Sequence, residues 1–203
     1  MYYKIYTDVR DGAWQCLLDH YIDRLPVDVL KIAKLNGIDV KKNSLINDLL
    51  PEEHAKSYFN GKKWIIIYND LNDTATCRYA IAHELGHIFL GHATTHTKYQ
   101  NIRAIGKKPR SEQHADMFAQ RLLCPACVLQ HLNIVSAEDI ASSCRVPLSC
   151  AKLRSTRMKK LSTRNKFLTS ELEVSVFNNF KEYVLEIQKA NNNRESIDSA
   201  TDN

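Results

Sequence analysis

Apolar positions recur at helical spacing over residues 8–25, through Trp14, Leu17, Leu18, Tyr21, Ile22 and Leu25, and predict a first helix. Pro26 suits the first turn of a second, PVDVLKIAKLNG, because a first-turn residue needs no N–H partner; Gly37 is a good stop. IDV, 38–40, reads as a short strand. Residues 43–60 are ambiguous, with LINDLL helical at best. Between Gly61 and Asn69–Asp70, the β-branched and aromatic run WIIIY at 64–68 predicts a strand. Asn72 and Asp73 then offer an N-cap to a helix over about 74–91. The polar stretch 92–110, punctuated by Gly106 and Pro109, reads as a loop. Ser111 is expected to cap the next helix, EQHADMFAQRLL, which Pro125 ends or kinks before a short helix reaching Leu132. Further on, Ser136 caps a helix, CRVP turns the chain, and Ser149 lies in the first turn of another helix, which is helix–turn–helix spacing. Val176, Phe177, Phe180, Tyr183, Val184 and Ile187 form one helical face, and the closing NNNRESIDSATDN reads as a disordered polar tail.

Composition narrows this picture. A chain of 203 residues is one domain, or one with a small appendage, at roughly 100–200 residues per domain. With 44% hydrophobic and 25% charged residues it can bury a core. No window approaches the ~18–20 apolar residues needed to span a bilayer, and membrane-surface binding is not expected either, because Glu171, Glu173, Glu182 and Glu186 offset the lysines of the amphipathic stretch at 176–187. MYYKIYTDVRDG lacks a basic segment followed by an apolar run, so it does not read as a secretory signal, and the expected address is cytoplasmic. There the six cysteines should be reduced thiols. A net charge of +5 is a slight hint of an anionic partner.

The strongest chemical signal is HELGH, 83–87. On a helix, residues four apart stand about 6 Å apart along the axis and about 40° apart around it, so His83 and His87 can share one metal ion. Glu84, beside the first imidazole, can reach a water activated by that metal and act as general base. The rest of this helix is apolar (Tyr79, Ile81, Ala82, Leu85, Ile88, Phe89), so the histidines are buried and need partners. The bland alternative is two core histidines satisfied by backbone groups.

A zinc site of this kind takes a third protein ligand, and there are two candidates. His92 follows the motif, but Gly91 and His92 fall eight and nine residues after His83, out of register with HExxHxxGxxH. Glu112, on the next predicted helix, would complete a His2Glu sphere, and spacing prefers it. Its bland role is an acid favoured at a helix start. Asp116 lies one turn on from Glu112 and is placed to accept from the far nitrogen of a ligating histidine. His92 is kept as a residue lining the site or polarising the substrate; its bland role is a helix-end histidine near free carbonyls.

RYAIAHELGHIFLGH followed by SEQHADMFAQRLLCP resembles the ImmA/IrrE family of zinc metallopeptidases. LPVDVLKIAKLNGIDV and WIIIYND are similar to that family's lead-in to the zinc helix, and VPLSCAKLRSTRM to its C-terminal helices, so the resemblance spans roughly residues 25–158. It implies that His83, His87 and Glu112 bind one Zn2+ per chain and that Glu84 is the catalytic base. It also implies an intracellular protease of narrow specificity whose substrate is a helix–turn–helix repressor of mobile-element or stress-response genes. Cys124 departs from the pattern, which more often has methionine before the proline. Some members of the family belong to toxin–antitoxin-like gene pairs.

Two weaker signals complete the reading. CPAC, with Cys144 and Cys150, could be imagined as a second zinc site, but the C-x5-C gap is irregular and free thiols are the simpler expectation. Lys152, Arg154, Arg157, Lys159, Lys160, Arg164 and Lys166 form a basic run with no acid among them; a solvated helix face is the simpler reading and direct DNA binding the less favoured one. The expected fold is α+β and mainly helical: a zincin-like metallopeptidase domain at 1–128 with a small sheet beside the HExxH helix, a helix–turn–helix-like segment at 129–166, and an amphipathic helix with a polar tail at 167–203. The expected activity is zinc-dependent cleavage of a repressor. The alternative is a non-catalytic DNA- or repressor-binding regulator with a structural or sensory zinc site, or a toxin–antitoxin-like partner.

Overall fold

The computed structural model describes residues 9–92 and 109–201, with side chains up to residue 193. The loop expected over 92–110 therefore lies almost wholly outside the described residues, as does the amino-terminal segment 1–8. The class is α+β and mainly helical, with eight helices and a three-stranded sheet among the described residues.

Helix α1 (Val9–Asp19) ends earlier than its apolar spacing suggests. Tyr21, at φ 51°, takes the left-handed conformation, and the chain turns away before Ile22 and Leu25 re-enter the core. Helix α2 (Val29–Leu35) begins after Asp28, whose carboxylate accepts from the amides of Leu30 and Lys31. Asp28, not Pro26, is thus the start signal. It satisfies amides that would otherwise be orphaned, which is worth about 1 kcal/mol.

Strand β1 (Asp39–Lys42) pairs in parallel with β3 (Trp64–Tyr68), Val40 opposite Ile66. Between them, the stretch with no clear period in its sequence forms a short 3-10 turn, Asn43–Leu45, and a strand, β2 (Ala55–Phe59), antiparallel to β3 with Ser57 opposite Ile66. The β2–β3 hairpin turns at Asn60–Gly61. Gly61 has φ +88°, and the Asn60 side chain accepts from the amides of Lys62 and Lys63. Asn-Gly before a β-branched run is a strong hairpin signal. The strand order β1-β3-β2 leaves β3, with Ile65, Ile66 and Ile67 buried, in the middle.

Helix α3 (Thr74–Phe89) starts at Asp73, which accepts from the Thr76 amide and hydroxyl. It lies against the sheet on one side and against α4 (Arg110–Leu123) on another. Pro109, not Ser111, precedes α4. Its ring supplies the extended entry, and Ser111 falls inside the helix. Cys124 and Pro125 break the helix before α5 (Ala126–His131). Helix α6 (Ala137–Cys144), capped by Ser136, packs on α7 (Leu148–Thr163) across a turn in which Arg145 has φ 50°. Helix α8 (Glu171–Thr201) is continuous through the stretch expected to be an irregular tail; no glycine or proline interrupts it.

One hydrophobic core draws on all these parts, from Trp14 and Leu17 through Ile66, Leu85, Phe118 and Leu129 to Val176 and Phe180. Asn179 on α8 donates to the Ile22 carbonyl, just beyond α1, and Gln188 to that of His131 at the end of α5, which ties down α8 where it packs on α1 and α5. No described helix is long and apolar enough to cross a membrane.

Candidate metal centre

Helical periodicity sets the geometry first. His83 and His87 project from one face of α3, and their Nε2 atoms stand 3.0 Å apart. Two bare imidazole nitrogens do not approach so closely unless a proton or a cation lies between them. Helix α4 brings a carboxylate to the same point. One Glu112 oxygen is 3.3 Å from His83 Nε2 and the other is 3.0 Å from His87 Nε2.

The close approach of α3 and α4 depends on Gly86. A Cβ there would stand 3.2 Å from Ala115 Cα, Ala115 O and Phe118 Cβ. Phe89 and Phe118 meet edge to face beneath the crossing.

The far nitrogens of both imidazoles are also engaged. His83 Nδ1 is 2.9 Å from Asp116 Oδ1, which also accepts from the Tyr79 hydroxyl at 3.2 Å. Burial, then Asp116, push the Tyr79 phenol upward, so it remains a donor. His87 Nδ1 is 3.0 Å from His92 Nδ1. Burial, together with the imidazoles of His87 and His114, lowers His92 to about 4; at neutral pH it is uncharged and its Nδ1 can accept. When the imidazoles are neutral, as metal binding requires, both partners thus favour the tautomer in which Nε2 of His83 and of His87 offers a lone pair.

Glu84 is buried on α3 beside these groups, and its Oε2 accepts from the Ser57 hydroxyl at 2.6 Å. Ser57 comes from β2, the strand whose sequence pattern is ambiguous. The Asn60–Gly61 turn is the available signal for that strand, but nothing in the sequence places Ser57 against Glu84, because that contact arises from packing of sheet on helix.

The donor set suits a metal ion. His83, Glu84 and His87 offer ligand atoms that all lie within 4.8 Å of one another. Glu112 makes a tighter triangle with the imidazoles, and two ligands about 2.0–2.1 Å from a tetrahedral ion stand roughly 3.3 Å apart. The Nε2–Nε2 separation and the two imidazole–carboxylate separations, one to each Glu112 oxygen, are therefore of the size that one ion requires. Glu84, engaged by Ser57, is the carboxylate left beside it.

Electrostatics agree with a cation-seeking site. Burial lowers the His83 pKa, but Asp116 and Glu112 outweigh it and raise the imidazole to about 9. Hydrogen bonds with His83 and His87 hold Glu112 far below the usual carboxylate range. A metal entering here would displace a proton from the His83 imidazole.

All six cysteines are free thiols, and every one but Cys77 is buried. Among the described residues no group of cysteines is arranged to hold an ion. Arg154, expected on a solvated face with the rest of the basic run, is buried; Lys152, Arg157, Lys159, Lys160, Arg164 and Lys166 are exposed.

A family model described as the IrrE N-terminal-like domain, Peptidase M78, matches residues 35–156, which include both α3 and α4. No curated protein matches the chain.

Proposed function

From a chain that belongs to the IrrE N-terminal-like peptidase family, we propose a zinc-dependent endopeptidase of the cytoplasm whose substrate is a helix–turn–helix transcriptional repressor. The observation that carries the catalytic part is the convergence of His83, His87 and Glu112 with Glu84 set apart on Ser57. His83, His87 and Glu112 are the three residues that would hold one Zn2+. When bound, the ion supplies Lewis-acid polarisation of the scissile carbonyl and of the attacking water.

The chain's own residues do the rest. The Glu84 carboxylate takes the proton from the attacking water and hands it to the departing amine nitrogen, which leaves as a neutral amine. Ser57 holds one Glu84 oxygen, which leaves the other free to face the water. Asp116 and His92 keep the two imidazoles in the tautomer and orientation that binding needs. Repressor specificity rests on the resemblance of HELGH and SEQHAD to the ImmA/IrrE family.

Glu84→Gln separates binding from catalysis. Its amide keeps the shape and removes the base. We expect the variant to bind about one zinc per chain, as the parent does, while cleavage of a co-expressed repressor falls by at least about 100-fold, the low end of what general-base catalysis contributes. Undiminished cleavage would remove Glu84 from the mechanism; loss of zinc would make it a ligand instead.

A further inference from the structure

A second polar cavity lies away from the metal centre, where α1, α4, α7 and α8 meet. Its volume is about 30 Å³. One water needs roughly 10–15 Å³ by this measure, so about two oxygen-sized atoms fit below the mouth. Arg10, Arg121, Arg154, Arg157 and Lys166 line it, and Glu173 is the single carboxylate among the described lining residues.

The floor is made of donors. Arg154 is 4% exposed and Trp14 2%, and neither Arg154 Nε nor Trp14 Nε1 has a hydrogen-bond partner among the described residues. Guanidinium and indole N–H groups donate and cannot accept, so they cannot satisfy one another. The Glu173 carboxylate already accepts from the Thr169 amide at 3.0 Å.

Nor do the neighbouring thiols neutralise Arg154. Hydrogen bonding to Cys144 pushes the Cys124 thiol well up, burial raises Cys127 to about 12, and hydrogen bonding to Cys124 raises Cys150, so all three are uncharged at neutral pH. Glu173 is thus the one acidic neighbour of a cluster of five cationic side chains, and the excess positive charge, with Arg154 Nε and Trp14 Nε1 unpartnered, calls for a further anion. Arg157 and Lys166 are exposed at the rim, and Arg10, paired with Asp11, lies 4.9 Å over the Trp14 ring.

We propose that this cavity binds a phosphate-class oxyanion, either inorganic phosphate or the terminal phosphate of a small phosphorylated molecule. The ligand enters oxygens first: it accepts from Arg154 and Trp14 Nε1 at the floor and leaves its outer oxygens to Arg157 and Lys166. Forked guanidinium donors match tetrahedral phosphate oxygens. The site is independent of the metal-centre reading, with which it shares no residue.

Trp14 reports on occupancy directly. Trp64→Phe leaves it as the sole tryptophan of the chain. Inorganic phosphate and, separately, pyrophosphate are titrated into that full-length protein at constant ionic strength set with chloride. A saturable change in Trp14 emission is expected with at least one of them. Phosphate alone would identify the free ion, and pyrophosphate alone the end of a phosphorylated molecule. Arg154→Met should weaken the response by at least about tenfold, as loss of a charge-assisted hydrogen bond does. Should that variant not fold, the exposed pair Arg157→Gln with Lys166→Gln decides, with a loss of at least several-fold. Lys152→Gln with Lys160→Gln removes the same charge elsewhere on α7 and should leave affinity within about twofold. No saturable response to either anion would overturn the proposal, as would equal losses in both double variants. So would a response confined to duplex DNA, which would make the patch a nucleic-acid backbone contact.

Discussion

Glu84 and Glu112 are the same side chain in two surroundings. Glu112 faces two imidazoles and is held ionised by them; Glu84 lies buried against a serine hydroxyl. The proposed division of labour follows from these neighbours, not from the carboxylates themselves. The same reasoning applies one bond further out, at Asp116, which touches His83 and Tyr79. Asp116→Asn replaces an anionic acceptor with a neutral amide, so zinc affinity should fall by about 10–100-fold in competition with a chelator. An unchanged affinity would show that Asp116 does not act through His83. Asp116 is legible from the amino-acid sequence, because it sits one turn from Glu112. Ser57 is not, because no periodicity links a strand residue to a helix residue 27 positions away. Arg154 reads as solvated in sequence because a run of charges carries no record of which member points inward.

At the scale of elements, the centre is a crossing of two helices. Alanine normally gains about 0.5–1 kcal/mol over glycine inside a helix. At Gly86 the sign should reverse. Two of the three atoms 3.2 Å from the missing Cβ belong to the Ala115 backbone and cannot rotate away. Gly86→Ala is expected to destabilise by about 1–3 kcal/mol, the usual cost of overpacking, measured by denaturant unfolding. It should also weaken zinc binding, because Glu112 rides on the helix that is pushed back. A more stable variant with parental zinc affinity would show that the crossing tolerates a methyl. Helix α3 and strand β3 are visible in sequence, having strong periods and clear ends. Strand β2 is not: AKSYF has no apolar alternation, and its pairing depends on the turn at Asn60–Gly61.

The whole molecule is larger than its family segment. Trp14 and Leu17 on α1, and Val176, Phe180 and Val184 on α8, are buried in the same core as α3 and α4. Both helices lie outside residues 35–156. Burying each such side chain is worth roughly 1.5–3 kcal/mol, so losing five forfeits on the order of 8–15 kcal/mol, comparable to the whole stability of a domain. A fragment spanning 35–156 should therefore show no cooperative thermal transition by circular dichroism, whereas the full chain should. A cooperative melt of the fragment would show that α1 and α8 are dispensable.

Helices α1 and α8 thus act as two staves of a cask whose hoops are the Asn179 and Gln188 hydrogen bonds. Transplanting the central stretch into another scaffold would carry every atom of the His–His–Glu triangle and still spill it. In a lineage exchanging such cassettes, the outer staves would have to travel with the triangle or be rebuilt around it.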